Sequence, residues 1–248
     1  MKRAMMLGAL LVLVRVATAE PNDPVGSVAG LEGRAERVAG GQAAWGALAA
    51  GDGVFLGDKL RTLADAKLKL AFQDDSVMTL AANSELTVDE EVAGAAPSAR
   101  FTLSLGALRA LVTERYHTPG ARFEVETPTA VAGVRGTGFL MHVDPRRNVT
   151  RVVGLFDTTR VRARADTGGK GAVLLGPGQY ADVGAADAKR KPHAALVMPP
   201  APLDRPALQA LLDATELLTG GLEPGDALGP APRVPPGVTH PGEAAITP

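Results

Sequence analysis

The feature that most constrains this chain is an alternation of period two. Lys67-Leu68-Lys69-Leu70-Ala71-Phe72 puts Leu68, Leu70 and Phe72 on one face and the two lysines on the other. The same pattern recurs in Phe101-Thr102-Leu103-Ser104-Leu105, in Phe123-Glu124-Val125-Glu126 and in Val161-Arg162-Ala163-Arg164-Ala165. Successive side chains of a strand point to opposite faces, so each run has one face to bury. Every run is short and bounded by turn formers: Gly51-Asp52-Gly53, Asp74-Asp75-Ser76, Pro119-Gly120, Asp144-Pro145, Gly168-Gly169 and Gly176-Pro177-Gly178. Among 248 residues, 29 glycines and 19 prolines supply such breaks throughout. Short strands with frequent turns predict an all-β domain over residues 20–184.

The pattern changes beyond residue 184. Residues 185–202 hold Pro192, Pro199, Pro200 and Pro202 and read as a proline-rich linker. Residues 203–220 predict one helix: Asp204 caps it, Pro206 fits its first turn and Gly220 ends it. Leu208, Leu211, Leu212, Thr215 and Leu218 form a single apolar stripe, which must dock on the β-domain or on a partner. Residues 221–248 are rich in proline and glycine with few apolar side chains, and read as a disordered tail.

The first 19 residues have the anatomy of a secretory signal peptide. Lys2 and Arg3 precede an apolar run from Ala4 to Val14, which is too short to span a bilayer. Ala17 and Ala19 are the small residues that a signal peptidase reads, so cleavage is expected between Ala19 and Glu20. The expected localisation is therefore exported, periplasmic or secreted, with no transmembrane span in the mature chain. Cysteine is absent, which excludes a disulfide scaffold, a thiolate metal site and a cysteine nucleophile.

No catalytic or cofactor motif stands out. The four histidines, His117, His142, His193 and His240, lie too far apart for a zinc-binding pair. The glycines around Gly51 and Gly57 do not fit a dinucleotide fingerprint, and no phosphate-binding or nucleophile-elbow motif occurs. Asp74-Asp75 and Asp89-Glu90-Glu91 read as turn chemistry and solvated charge. The expectation is a protein without enzymatic activity, metal or cofactor. A hydrolase with dispersed carboxylates is the remote alternative. One Trp, two Tyr and six Phe are few for the aromatic platforms of a sugar cleft.

One candidate ligand site remains. Arg160, Arg162 and Arg164 alternate along one run, and their Cα atoms repeat about every 6.6 Å on one face of a strand. Three guanidiniums so placed form an anion ladder for phosphates or carboxylates, or else the polar outside of a strand whose inside is Val161, Ala163 and Ala165. Residues 20–99 carry an acidic excess and residues 100–170 a basic one, which most simply means two segments that pack together. Nucleic acid is not an expected partner of an exported, net-acidic chain.

Two segments carry a family resemblance. The first runs Leu56-Gly57-Asp58-Lys59-Leu60-Arg61-Thr62, then Ala66 through Leu80, with Gln73-Asp74-Asp75-Ser76 at its turn. The second runs Leu105-Gly106-Ala107-Leu108, then Phe123 to Phe139, with Thr127-Pro128 and Val134-Arg135-Gly136-Thr137-Gly138-Phe139. Together they resemble the FecR domain over residues 45–183, named for a periplasmic regulator of ferric-citrate uptake. The resemblance implies a β-roll or solenoid-like stack of short strands. It marks Thr127, Pro128, Arg135, Gly136, Thr137 and Phe139 as a structural motif rather than a site. Asp75 stands where the family has glycine, so it must adopt a left-handed conformation.

The family regulator also has an anti-sigma segment, a membrane helix and a signalling domain, none of which this sequence matches. The expectation is a stand-alone exported FecR-type module of the bacterial envelope that recognises an envelope glycan or envelope protein. The alternative is an accessory role in FecR-type trans-envelope signalling.

Overall fold

The computed structural model describes residues 23–40, 42–92, 94–134, 138–184 and 196–215. The signal segment with Ala19 and Glu20, the tail 221–248, and Arg135, Gly136 and Thr137 lie outside the described residues. Eighteen strands form among the described residues. They are β1 (Gly26–Glu32), β2 (Ala35–Val38), β3 (Gly46–Ala47), β4 (Gly53–Val54), β5 (Lys59–Thr62) and β6 (Lys67–Phe72). Next come β7 (Val77–Leu80), β8 (Glu85–Val92), β9 (Ser98–Leu111), β10 (Arg122–Glu126), β11 (Ala130–Val134) and β12 (Gly138–Asp144). The last are β13 (Val149–Gly154), β14 (Thr159–Ala163), β15 (Val173–Leu175), β16 (Gln179–Gly184), β17 (Leu196–Val197) and β18 (Ala201–Pro202). A 3-10 turn, Glu114–His117, follows β9, and one helix, α1 (Arg205–Thr215), follows β18.

The strands stack as two layers, and the chain passes back and forth between them. The first sheet runs β4-β1-β6-β7-β9-β12-β13-β16, with β17 and β18 on its last edge. The second runs β3-β2-β5-β8-β9-β10-β11-β14-β15. The system is not closed into a barrel. The expected all-β stack of short strands with one C-terminal helix is therefore what this chain forms.

The predicted inner faces meet between the layers. Leu68 and Leu70 from the first sheet, and Leu60, Leu86, Phe101, Leu103, Phe123 and Val125 from the second, join one buried cluster. An aromatic line runs through it: Phe72 to Phe101 at 5.0 Å, Phe101 to Phe123 at 5.5 Å, and Phe123 edge-on to Tyr116 at 5.2 Å. Tilted and edge-on rings satisfy the aromatic quadrupole better than a flat sandwich does.

β9 belongs to both sheets. Its first half pairs with β8 and β10 in the second sheet. Its second half, from Gly106 onward, pairs with β7 and β12 in the first. The switch falls at Gly106, whose φ is +83°. A Cβ there would lie 2.3 Å from Ser84 Oγ and 2.6 Å from the Asn83 carbonyl oxygen. Ser84 Oγ accepts from the Ala107 N–H at 2.9 Å and donates to the Ala107 carbonyl at 3.0 Å. One hydroxyl thus bonds both the N–H and the carbonyl of Ala107 where β9 changes partner, and that carbonyl also accepts from the Ala81 N–H at 2.9 Å.

Other crossings between layers use the same device with a different residue. Asp65 (φ +54°), Asn83 (+54°) and Asp157 (+43°) sit at the crossings β5–β6, β7–β8 and β13–β14. Asp and Asn tolerate the left-handed region because their short side chains bond local backbone. Asp75 adopts φ +67° in the β6–β7 turn, the left-handed conformation that its departure from the family pattern requires.

The segment read as a linker divides. Residues 185–195 lie outside the described residues. Residues 196–202 are not a free spacer, because they run along β16 as edge strands. Val197 pairs with Val183 and Ala201 with Tyr180, and the Leu203 N–H bonds the Gly178 carbonyl at 2.9 Å. An edge needs backbone bonds on one side only, so proline is tolerated there.

α1 begins as its sequence predicts. Asp204 Oδ1 accepts from the Ala207 N–H at 2.9 Å, and residues 216–220 of the expected helix lie outside the described residues. The helix packs on the outer side of the first sheet, where Lys67 Nζ donates to the Asp213 carbonyl at 2.9 Å. On that outer face Leu140 and Val153 point away from the core yet are only 2% and 1% exposed. Asp204→Ala is expected to cost about 1 kcal/mol, the usual worth of such a cap. Circular dichroism should show helix signal lost at lower temperature while the strand signal keeps its midpoint.

Candidate functional site: the outer face of the second sheet

The arginine run falls on β14 and the turn after it. Val161 and Ala163 point into the core, and Arg160 and Arg162 face outward. The strand ends at Ala163, so Arg164 sits in the following turn. Arg160 donates to the Gly169 carbonyl and Arg162 to the Asp166 carbonyl, each at 3.3 Å. Arg164 reaches the other way, to the Thr127 carbonyl at 3.3 Å and to Glu126 at 3.5 Å. The three forks therefore do not form one parallel row: two fold over the 164–171 loop and one crosses to β10. The loop itself winds around Asp166, whose carboxyl is held below its ordinary range chiefly by the Gly171 N–H at 2.7 Å.

Charge balance across this face is close. Glu124 stands in register with Gly133 and then Arg160, and Glu126 with Val131 and then Arg162. Further along, Arg100 pairs with Glu90 at 2.6 Å, Lys59 with Glu85 at 3.6 Å and Arg61 with Glu36 at 2.8 Å. The geometry matches the outside of a strand better than an open anion cradle. Exposed ion pairs of this kind contribute little. Changing Arg160, Arg162 and Arg164 together to Gln should shift stability by less than about 1 kcal/mol in a urea melt. A larger loss would show that the ladder supports the fold.

The motif residues that are described act as fasteners. Thr127 and Thr150 are fully buried, and their hydroxyls lie 2.8 Å apart. Thr129 donates to Thr150 at 2.7 Å, and Thr127 Oγ1 accepts from the Ala130 N–H at 2.9 Å. This hydroxyl chain ties the β10–β11 turn of the second sheet to β13 of the first. Pro128 is exposed in that turn, and Phe139 is buried in the core. At the other segment, Asp58 is 1% exposed and accepts from the Phe55 N–H at 2.9 Å, which shapes the turn before β5. Thr62 Oγ1 accepts from the Ser84 N–H at 2.9 Å.

Two rings that could stack on a sugar, Trp45 and Tyr180, are engaged, while Phe156 is 50% exposed. The Arg61 guanidinium lies 3.9 Å from the centre of the Trp45 ring, and that of Arg151 lies 4.4 Å from the Tyr180 ring. Tyr116 is buried. His117 and His142 are exposed on separate elements, and His193 and His240 lie outside the described residues. Among the described residues no group of three or more His, Asp or Glu is placed to hold a metal ion. No helix among them is long and apolar enough to cross a membrane.

One cluster is invisible in the pattern of the sequence. Tyr116 donates its hydroxyl to Asp74 Oδ2 at 2.6 Å, and the Ser76 N–H bonds Asp74 Oδ1 at 2.8 Å. Glu91, at the end of β8, faces the same acid.

Residues 58–156 match the FecR protein family. The likeness to the FecR domain is thus carried by residues 58–156. The match spans β5 to β13 and lies within residues 45–183, the extent of the resemblance in sequence. Two crystal structures from Parabacteroides distasonis, described as a candidate anti-sigma factor, are similar at 15% identity with TM-scores of 0.48 and 0.49. Each similarity covers 62% of this chain and 64% or 63% of the other, so this chain spans less than two thirds of those proteins. No curated protein matches.

Proposed function

We propose that this protein is a non-catalytic interaction module of the bacterial cell envelope whose partner is a protein rather than a glycan. The observation that carries the choice is the state of the Trp and Tyr rings: guanidiniums stack on Trp45 and Tyr180, and Tyr116 is buried. A sugar-binding face needs open rings, and displacing Arg61 would also break its bonds to Glu36. The FecR match supports a role among protein–protein contacts of signalling.

The test is capture from envelope extract by the mature chain. Retention of a partner should survive glycan digestion of the extract and be abolished by protease treatment. Loss on glycan digestion with survival of proteolysis would overturn the reading. Export belongs to the same proposal, and the intact mass of the protein from the envelope fraction should correspond to a chain starting at Glu20.

A second reading, an accessory component of FecR-type trans-envelope signalling, is favoured by the family match itself. Deleting the protein should then alter transcription of a sigma-factor-dependent reporter, whereas a purely adhesive module would leave it unchanged.

A further inference from the structure

β8 does not keep its alternation to the end. Leu86 and Val88 point into the core, and the β8–β9 register shifts between Val88 and Glu90. Such an irregularity inserts a residue and re-aims the side chains that follow. Glu90 then faces outward, paired with Arg100 at 2.6 Å and with the Ser98 hydroxyl at 2.8 Å. Glu91 faces the interior end of the sandwich, where its Oε2 is buried with no hydrogen-bond partner.

Two elements pack against it with titratable groups. The β6–β7 turn contributes Asp74, which is already bonded to the Tyr116 hydroxyl and the Ser76 N–H. The 3-10 turn contributes Tyr116, which is 1% exposed. The Thr113 hydroxyl holds the Asp74 carbonyl at 3.0 Å, so the 3-10 turn and the β6–β7 turn are pinned together. Arg115 on that same turn is engaged with Asp75 at 3.2 Å, and both of these side chains are more than half exposed. Asp74 has donors for both its oxygens, whereas Glu91 Oε2 has none.

We propose that Glu91 is a proton-operated latch: protonated, it lets the 3-10 turn and residues 94–97 close over the end of the core, and ionised, it forces them apart. Burial first, and the negative charge of Asp74 second, push its carboxyl up from 4.5 to about 7. Burial and the bond to Asp74 push the Tyr116 phenol well above its usual range, so Tyr116 stays neutral. A carboxyl raised in the folded state binds its proton more tightly there than in the unfolded chain. The closed form is therefore favoured most below pH 4.5, loses ground as pH rises to about 7, and changes little beyond. The latch opens on the alkaline side, and it does not depend on the identity of the partner.

Two measurements on the full chain test this. Carbon-detected titration of the Glu91 carboxyl should give a midpoint near 7, and a midpoint near 4.5 would overturn the proposal. Hydrogen exchange, corrected for intrinsic rates, should be about ten-fold faster in the 3-10 turn and residues 94–99 at about pH 8 than at about pH 5.5. Glu91→Gln should abolish that difference. An equal difference in Glu91→Gln would show that another group drives the opening. If that variant fails to fold, the carboxyl midpoint of the unaltered protein decides alone.

Discussion

Gly106→Ala is expected to destabilise the protein by about 4 kcal/mol. Two costs combine. An L side chain at φ +83° bears about 1–2 kcal/mol of backbone strain. The added methyl would also overlap the Asn83 carbonyl oxygen and Ser84 Cα, each 2.6 Å away. These are backbone atoms that cannot swing aside, and overpacking of this kind costs about 1–3 kcal/mol. The shift needed to relieve the overlap would also break the Ser84–Ala107 bonds that carry β9 between sheets. Urea melts should show the midpoint falling steeply, and a loss below about 1 kcal/mol would mean that β9 can bend elsewhere. Ala at Gly51, where φ is +90° but no atom lies within 4 Å, isolates the strain alone and should cost far less.

Asp74→Ala should cost about 3 kcal/mol. It strands the Tyr116 hydroxyl in the core and removes the acceptor of the Ser76 N–H. Each buried donor left unmade costs about 1–3 kcal/mol, and part of the total is offset because the charge facing Glu91 disappears. Tyr116→Phe alone should cost less, because the acid keeps its backbone donor. Combining the two substitutions should cost less than their sum, since the second no longer strands a partner. Strict additivity in urea melts would show that the bond between Tyr116 and Asp74 contributes nothing.

Much of the fold can be read from single residues. The alternation at Leu68, Leu70 and Phe72 assigns inner and outer faces correctly, because strand periodicity is a local property. The cap at Asp204 and the left-handed turn at Asp75 are equally local. Layer assignment is not: nothing near Phe101 or Leu108 says that one strand serves two sheets, since that depends on partners far away in sequence. Glu91 illustrates the limit most sharply. Counted along Asp89-Glu90-Glu91 it belongs to a solvated acidic end, but the register shift after Val88 turns it inward. A two-residue period fails wherever the ladder slips by one. The arginine run misleads for the opposite reason, because its third member lies beyond the end of the strand.

The double membership of β9 governs how the chain acquires its structure. A nascent segment that ends before Ser98 leaves β7 and β8 without the strand that pairs with both, so neither layer is complete. β12 and β10 likewise wait for β9 on its other margins. Native order thus depends on loop closures across large sequence separations, the topology that folds slowly. Neither layer can be completed until the central strand has found all four of its neighbours.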